Sequence, residues 1–319
     1  MNKIIAIVAG EPNSINSEII AKAWKVNKNK ENLLVIGNFS LLQKQLERIS
    51  IKIPLYKIKK IEEFIKSKKL CVLDIPLKFK SAFKVEIDKT KNYIFKSLSV
   101  AHNLCMKKKI NGFINAPINK KIFNNKFLGV TEFLAFKNKI IGKEVMLIYN
   151  KKLSVVPLTT HLEIKKVPSK IKLNLIKSKV FILNAAYAKI FGKKPRIAIL
   201  GLNPHNSEDR SDSIESKIIK PAVIELRKLG VDIKGPFPAD TAFSKQKRLC
   251  VDVIIGMYHD QVLAPFKALF EYDAINVTLG LKYVRISPDH GIAQDIIGSN
   301  KASPQSLTNA IIFLSKLNA

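Results

Sequence analysis

The chain has 319 residues, enough to bury a substantial core and, by length, more often two domains than one. Its apolar fraction of 47% is ordinary for a globular protein, and no stretch approaches the ~20 uninterrupted apolar residues of a membrane span, which sets aside a membrane-embedded chain. The net charge of +30 raises nucleic acid as a partner, but only six of the 55 basic residues are Arg and the Lys are spread along the chain, so no specific nucleic acid is expected and the positive field points to anionic substrates.

The N-terminus, Met1-Asn2-Lys3-Ile4-Ile5-Ala6-Ile7-Val8-Ala9-Gly10, has a charged start and an apolar run. The run is too short for a secretory leader, and Glu11-Pro12-Asn13 follows it without a small-residue cleavage pattern. Residues 4–9 therefore read as a first strand and the protein as cytoplasmic. A helix follows over 17–25 and a strand over 33–36. The Lys-rich stretch 57–69 reads as a solvated helix or loop. Then come a long amphipathic helix over 90–108, strands over 112–115, 144–149 and 153–158, a helix over 175–191, and a strand over 196–200. A helix over 213–229 ends at Gly230 as a C-cap, residues 251–256 form another strand, and Ser303-Pro304 opens a last helix through 317. The strands are short, continuous and rich in Ile and Val, as expected for sheets covered on both faces, and their alternation with helices predicts an α/β fold with largely parallel strands. There is no internal repeat and no low-complexity linker. Cys71, Cys105 and Cys250 are odd in number and widely spaced, so each reads as a small buried hydrophobe, outside any disulfide framework or thiolate zinc site. No Gly-x-Gly-x-x-Gly follows a strand and no P-loop is present, which excludes a standard Rossmann or P-loop nucleotide site.

Three of the five histidines stand directly after apolar runs: His161 after Val155-Val156-Pro157-Leu158-Thr159-Thr160, His205 after Gly201-Leu202-Asn203-Pro204, and His259 after Ile254-Ile255-Gly256-Met257-Tyr258. Strand ends are where open α/β sheets put ligand sites, and neutral imidazole is the commonest metal ligand. Recurrence in three strand–loop units points to a metal centre; the alternative is three unrelated histidines satisfied by neighbours. Two further segments concentrate polar groups. Gly235-Pro236-Phe237-Pro238-Ala239-Asp240 places Asp240 in a stiff Pro-bounded loop, and residues 276–285 run into Ser287-Pro288-Asp289-His290-Gly291. Each reads either as a turn with Asx-type hydrogen bonds or, with Lys267, as an anion site built on Asn276 and Arg285. Arg285 has a duller alternative too, a surface pair with Asp289.

Together these pieces resemble the 4-hydroxythreonine-4-phosphate dehydrogenase family. The similarity runs from Gly10-Glu11-Pro12 through Asn115-Ala116-Pro117-Ile118-Asn119-Lys120, Thr131-Glu132-Phe133, Thr159-Thr160-His161-Leu162, Gly201-Leu202-Asn203-Pro204-His205, Gly235-Pro236-Phe237-Pro238-Ala239-Asp240-Thr241, Met257-Tyr258-His259-Asp260-Gln261 and Asp289-His290-Gly291 to the last helix. The resemblance implies a two-domain α/β/α sandwich of the isocitrate/isopropylmalate dehydrogenase-like type, without a Rossmann fingerprint. The first, discontinuous domain would hold residues 1–127 and 262–319, the second residues 128–261 with the dimer contacts, and the active site would lie in the cleft between them. It implies NAD- or NADP-dependent, metal-dependent oxidation of 4-phosphooxy-L-threonine to a 3-keto acid that decarboxylates to 3-amino-2-oxopropyl phosphate, a step toward pyridoxal 5'-phosphate. His161, His205 and His259 would hold a divalent metal (Zn, Mg, Co or Mn), two from one subunit of a homodimer and one from its partner. Thr131, Lys267, Asn276 and Arg285 fall on substrate-binding positions, Asp240 and Lys267 on catalytic ones, and His290, Gly291 and Asp295 on the cofactor loop. Asp240 and Asp260 are candidate orienters of the imidazoles. Other readings are a paralogue acting on a phosphothreonate or phosphoerythronate, and a catalytically silent binding protein of the same fold. The chain departs from the family at Val130, where a His usually precedes Thr-Glu, and at Asn13-Ser14-Ile15-Asn16-Ser17, where the family is Gly-rich. That loop must either avoid φ > 0 or reach it through Asn.

Overall fold

The computed structural model describes residues 4–28, 30–123, 127, 129–271 and 273–317. Its strands, in chain order, are β1 (Ile5–Val8), β2 (Leu33–Gly37), β3 (Leu55–Ile58), β4 (Leu70–Asp74), β5 (Gly112–Asn115), β6 (Val145–Tyr149), β7 (Ser154–Pro157), β8 (Ile197–Leu200), β9 (Ile233–Phe237), β10 (Val253–Gly256), β11 (Ile275–Leu279) and β12 (Val284–Pro288). The chain divides into unit 1, Met1–Asn138 with Leu281–Ala319, and unit 2, Lys139–Gly280.

In unit 1 the strands run in the order β3-β4-β2-β1-β5-β12, every pair parallel. Alternate side chains of a strand point to opposite faces. Ala6, Val8, Leu34, Ile36, Cys71 and Phe113 meet Ile94, Leu98 and Ala101 of the helix Ile87–Met106. Ile5, Ile7, Leu33, Val35 and Ile114 are as fully buried, and the helix Gln305–Leu317 packs on β1, β5 and β12. Burial on both faces is why these strands read as continuous apolar runs; each fully buried Ile or Leu contributes roughly 1.5–3 kcal/mol.

In unit 2 the order is β11-β6-β7-β10-β8-β9, with β6 antiparallel to both neighbours and β7, β10, β8 and β9 parallel. Val155, Ala198, Leu200 and Ile254 pack against Val262, Leu263 and Phe266 of the helix His259–Phe270. The helix Leu173–Phe191 packs on β6 and β11 and ends at left-handed Gly192, φ 71°.

Several expectations are corrected. The unit boundaries fall at 138/139 and 280/281, not near 127 and 261; residue 128 itself lies outside the described residues. The helix Val130–Lys137 buries Val130, Phe133 and Leu134 in the core of unit 1. β11 pairs with β6 along five residues, which holds it and the helix before it in unit 2. The stretch 57–69 is mostly loop around a single 3-10 turn, Ile61–Glu63, but its first two residues belong to β3, an edge strand whose Lys57 pairs with Asp74 at 2.8 Å. Lys on an exposed edge also discourages edge-to-edge pairing. Residues 233–237 and most of 276–285 are strand as well. Cys250 is exposed, unlike buried Cys71 and Cys105, because it follows the surface helix Lys245–Arg248.

Candidate active site

β10 pairs with β7 on one side and β8 on the other, all parallel, with Gly256 opposite Pro157 and Ile255 opposite Ile199. His161, His259 and His205 therefore leave the same ends of three neighbouring strands, four, three and five residues beyond the last strand residue. The rings of His161 and His259 stand 6.0 Å apart between centroids, tilted by 34°. His259 opens the helix His259–Phe270, and its Nδ1 lies 2.6 Å from Asp260 Oδ1, which leaves Nε2 for a ligand. His205 and His161 are exposed. Among the described residues no group of three or more His, Cys, Asp or Glu is gathered to hold a metal; the chain brings two imidazoles together and delivers the third from the next strand. Paired imidazoles with an orienting carboxylate fit a divalent cation of the zinc type. His102 is the core counterpart: buried, with Nδ1 2.9 Å from Tyr283 Oη, and with its pKa pushed down by burial.

The three strand ends are cross-linked by residues that sequence reasoning missed. Thr159 Oγ1 donates to Met257 O at 2.7 Å, tying the β7 loop to the β10 loop. Gln261 Oε1 accepts from Met257 N at 2.7 Å while its Nε2 donates to Gly201 O at 2.8 Å, tying the β10 loop to the end of β8. Both lie within motifs quoted above, but their partners are set by strand order, which local sequence does not carry. Beyond β8, His205, Asn206, Ser207, Glu208 and Asp209 all take left-handed backbone, with φ between 49° and 59°. Such a conformation costs roughly 1–2 kcal/mol per residue, least for Asn and Asp. Asp240 is exposed, in the short helix Ala239–Ala242 after β9, so the Pro-bounded segment is strand and then helix.

Arg285 lies on β12 opposite Phe113 of β5, and Asn115, two residues on, shares that face. Asn115 Oδ1 accepts from Arg285 Nε at 2.6 Å, and Thr131 Oγ1, in the first turn of the helix Val130–Lys137, accepts from Nη1 at 3.2 Å. Arg285 is only 4% exposed, so the surface-pair reading fails. Burial pushes its pKa down to about 10, against the attraction of Glu132, so the group stays cationic at neutral pH. A buried guanidinium whose Nε and Nη1 meet neutral oxygens has the chemistry to take an anion. Asn276, on β11 of unit 2, has a buried Oδ1 without a hydrogen-bond partner among the described residues, and Lys267 is half-buried in the helix His259–Phe270.

The expected cofactor loop follows β12. His290 Nδ1 lies 3.0 Å from Gly291 O, and its Nε2 is buried without a hydrogen-bond partner among the described residues. Ile15 N donates to Ile292 O at 3.4 Å, joining this loop to the one after β1, and Asp295 is exposed in the turn Gln294–Ile296. An orphaned imidazole nitrogen beside two strand-end loops fits a polar cofactor. The β1 loop solves its loss of glycines without left-handed backbone: none of residues 13–17 has φ > 0. Instead Asn13 exchanges two hydrogen bonds with the Val85 backbone, and Asn16 Nδ2 donates to Ala9 O and Pro117 O. Glu11 in this loop is 5% exposed, and burial pushes its carboxyl up against the opposing backbone donors of Asn13 and Asn119.

Residues 29–314 match the family model described as pyridoxal phosphate biosynthetic protein PdxA. The 4-hydroxythreonine-4-phosphate dehydrogenase of Sulfurihydrogenibium sp. is 37% identical over 317 residues, 96% of each chain. That of Aquifex aeolicus is 35% identical over 326 residues, 99% of each. The crystal structure of the Klebsiella pneumoniae 4-hydroxythreonine-4-phosphate dehydrogenase superposes with a TM-score of 0.87 at 29% identity, covering 99% of this chain and 100% of that one. The architecture is accordingly the mixed α/β one related to isocitrate/isopropylmalate dehydrogenase-like enzymes. With family-model coverage of most of the chain and full-length relatives above 30% identity, the chain belongs to the PdxA family of 4-hydroxythreonine-4-phosphate dehydrogenases.

Proposed function

We propose that the chain oxidises 4-phosphooxy-L-threonine at C3 with NAD or NADP, and that the 3-keto acid loses CO2 to give 3-amino-2-oxopropyl phosphate, a step toward pyridoxal 5'-phosphate. The observation that carries this reading is the row of adjacent parallel strands β7, β10 and β8 bearing His161, His259 and His205, in a chain that matches the family along its length. These histidines would hold the divalent metal (Zn, Mg, Co or Mn). A site shared in a homodimer, with two imidazoles from one subunit and one from its partner, accounts for a pair at 6.0 Å that no third metal-binding group joins among the described residues. When bound, the cation supplies Lewis-acid stabilisation of the negative charge that develops during oxidation and CO2 loss.

The chain's own groups do the rest. Arg285, fixed by Asn115 and Thr131, binds the phosphate or carboxylate through charge-assisted hydrogen bonds, and Lys267 adds a second cation. Asn276 Oδ1 accepts from a substrate donor. His290, Gly291 and Asp295 hold the dinucleotide. The hydride leaves C3 for the nicotinamide and the hydroxyl proton goes to a base. CO2 then departs, leaving its bonding pair on the α-carbon, which takes up a proton; Asp240 and Lys267 are assigned to these two proton steps.

Val130 gives the paralogue reading a specific footing. It is 9% exposed and packed in the core of unit 1, so it offers a substrate no hydrogen bond. One assay separates the readings: NAD(P)H absorbance on mixing the chain with divalent metal and each candidate acid. The expected result is turnover of 4-phosphooxy-L-threonine that requires metal and dinucleotide. Turnover of phosphothreonate or phosphoerythronate in its place identifies the paralogue. Metal binding without turnover of any of them identifies a silent protein.

A further inference from the structure

The left-handed turn His205–Asp209 contains no glycine, so something outside it must hold it. Glu215 is the residue that does. It is 0% exposed and begins the π-helical turn Glu215–Ile219 that leads into the helix Lys220–Lys228. Its Oε1 accepts from Leu202 N at 2.8 Å, Asn203 N at 2.8 Å and Asn203 Nδ2 at 3.3 Å. Its Oε2 accepts from Asn203 Nδ2 at 3.3 Å and Ser207 Oγ at 3.1 Å. All five bonds run to residues 202–207, on both sides of His205. A second pin, Asn206 Nδ2 to Pro236 O at 3.0 Å, fixes the turn from the β9 side. Gly201 lets the turn fold back on its own strand, since a β-carbon there would collide with Asn206 Oδ1.

We infer that Glu215 is the positioning residue of the His205 imidazole, a buried carboxylate that aims a metal ligand through the backbone and hydroxyl of its loop instead of through the ring. The inference rests on the reading that His205 binds a divalent cation. Its physical ground is the donor set. Burying an ionised carboxylate is costly unless its oxygens are saturated by hydrogen bonds, and here the given partners all belong to the one segment that carries His205. An amide N–H group in place of Oε2 would face Asn203 Nδ2, donor against donor, and force Ser207 Oγ to turn from donor to acceptor, which loosens that side of the turn.

The test is Co2+ titration of the purified full-length chain, without substrate or dinucleotide, followed by calorimetry. Glu215→Gln should weaken the Co2+ Kd by about 10- to 100-fold at temperatures well below its Tm, the range usual for residues behind metal ligands. Glu215→Asp should recover part of that loss. A purely structural Glu215 would lower Tm and leave the Kd of the folded chain unchanged, and that result overturns the inference. If Glu215→Gln does not fold, Ser207→Ala decides: it removes one bond from a half-buried hydroxyl, and a Kd several-fold weaker supports the inference while an unchanged Kd overturns it. His205→Ala separates this failure from that of the metal reading. If His205→Ala binds Co2+ as tightly as the unaltered chain, or the unaltered chain binds none, the ligand assignment itself falls. If His205→Ala loses Co2+ while Glu215→Gln and Ser207→Ala retain it, only the positioning role falls.

Discussion

The arginine of unit 1 and the histidines of unit 2 are held in opposite ways. Arg285 is 4% exposed, sits on a strand, and is gripped by side chains from two other elements. His161 and His205 are exposed, sit beyond strand ends, and have left-handed backbone. The first arrangement makes the candidate binding group part of the core, so folding itself carries the cost of desolvating a cation. The second keeps the candidate binding groups out of the core, so folding carries only local backbone strain, and the imidazoles remain accessible to a ligand or a second subunit. Damage to the two regions should therefore separate cleanly: histidine variants lose function with little loss of stability, and arginine variants lose both.

The largest effect should come from His161→Ala. Metal-dependent turnover should disappear, while stability stays within about 0.5 kcal/mol because an exposed side chain is removed. Turnover assays and thermal melts of the same preparation check this. A His161→Ala chain that melts many degrees lower would place the histidine rim in the core after all and break the comparison.

Arg285→Ala comes next. Removing a buried partner of an anion costs about 2–5 kcal/mol, so kcat/KM should fall by roughly 30- to 4000-fold at ~1.36 kcal/mol per decade. Stability should fall as well, since Asn115 Oδ1 and Thr131 Oγ1 lose their donor and a cavity opens beside Phe113. Near-normal kinetics with a lowered Tm would leave Arg285 a core residue only.

Gln261→Ala tests whether the exposed rim has a rigid foundation. The side chain links Met257 N to Gly201 O, and so the β10 loop to the end of β8. Its loss should weaken metal affinity by about 10-fold, at the low end for residues behind the ligands, with about 1 kcal/mol of stability for each bond unmade. Calorimetric titration and melts report the two quantities separately.

The same contrast explains what the sequence made visible. β1, β2, β5, β6, β7, β8 and β10 show as Ile- and Val-rich runs because both their faces are covered. β11 and β12 do not, because Asn276 and Arg285 replace apolar residues within them, and polar residues inside a buried strand hide the pattern that reveals strands. β3 and β9 escape as edge strands, one with exposed Lys57 and the other with Gly235-Pro236. β4, Leu70–Asp74, had a readable apolar run that its Lys-rich flank obscured. The histidines were legible from their distance past each strand. The grip on Arg285 was not, because Asn115 and Thr131 stand 170 and 154 residues away in the chain and meet it only through strand order.

The smallest effect concerns a second buried charge of unit 1. Glu11 is 5% exposed, its Oε2 has no hydrogen-bond partner among the described residues, and burial raises its pKa above the ordinary value of 4.5. A raised carboxyl pKa means that the folded state holds the proton more tightly than the unfolded chain does. The associated stability is then fully present below pH 4.5 and is lost as pH rises through the folded pKa. Glu11→Gln keeps an acceptor for the Asn13 and Asn119 backbone N–H groups and removes the charge. At pH 7 it should stabilise the chain by about 1 kcal/mol, the low end of the cost of a buried unsatisfied oxygen, or about 2 °C in Tm. Near pH 4 the gain should vanish, since Glu11 is then protonated in both states. Urea unfolding of both chains at the two pH values measures the difference directly. A gain of equal size at both would show that the charge of Glu11 is not what costs stability. Arg285 would then be the buried charge on which the contrast between the two units rests, since Glu18, 1% exposed, is already paired with Lys22 at 2.7 Å.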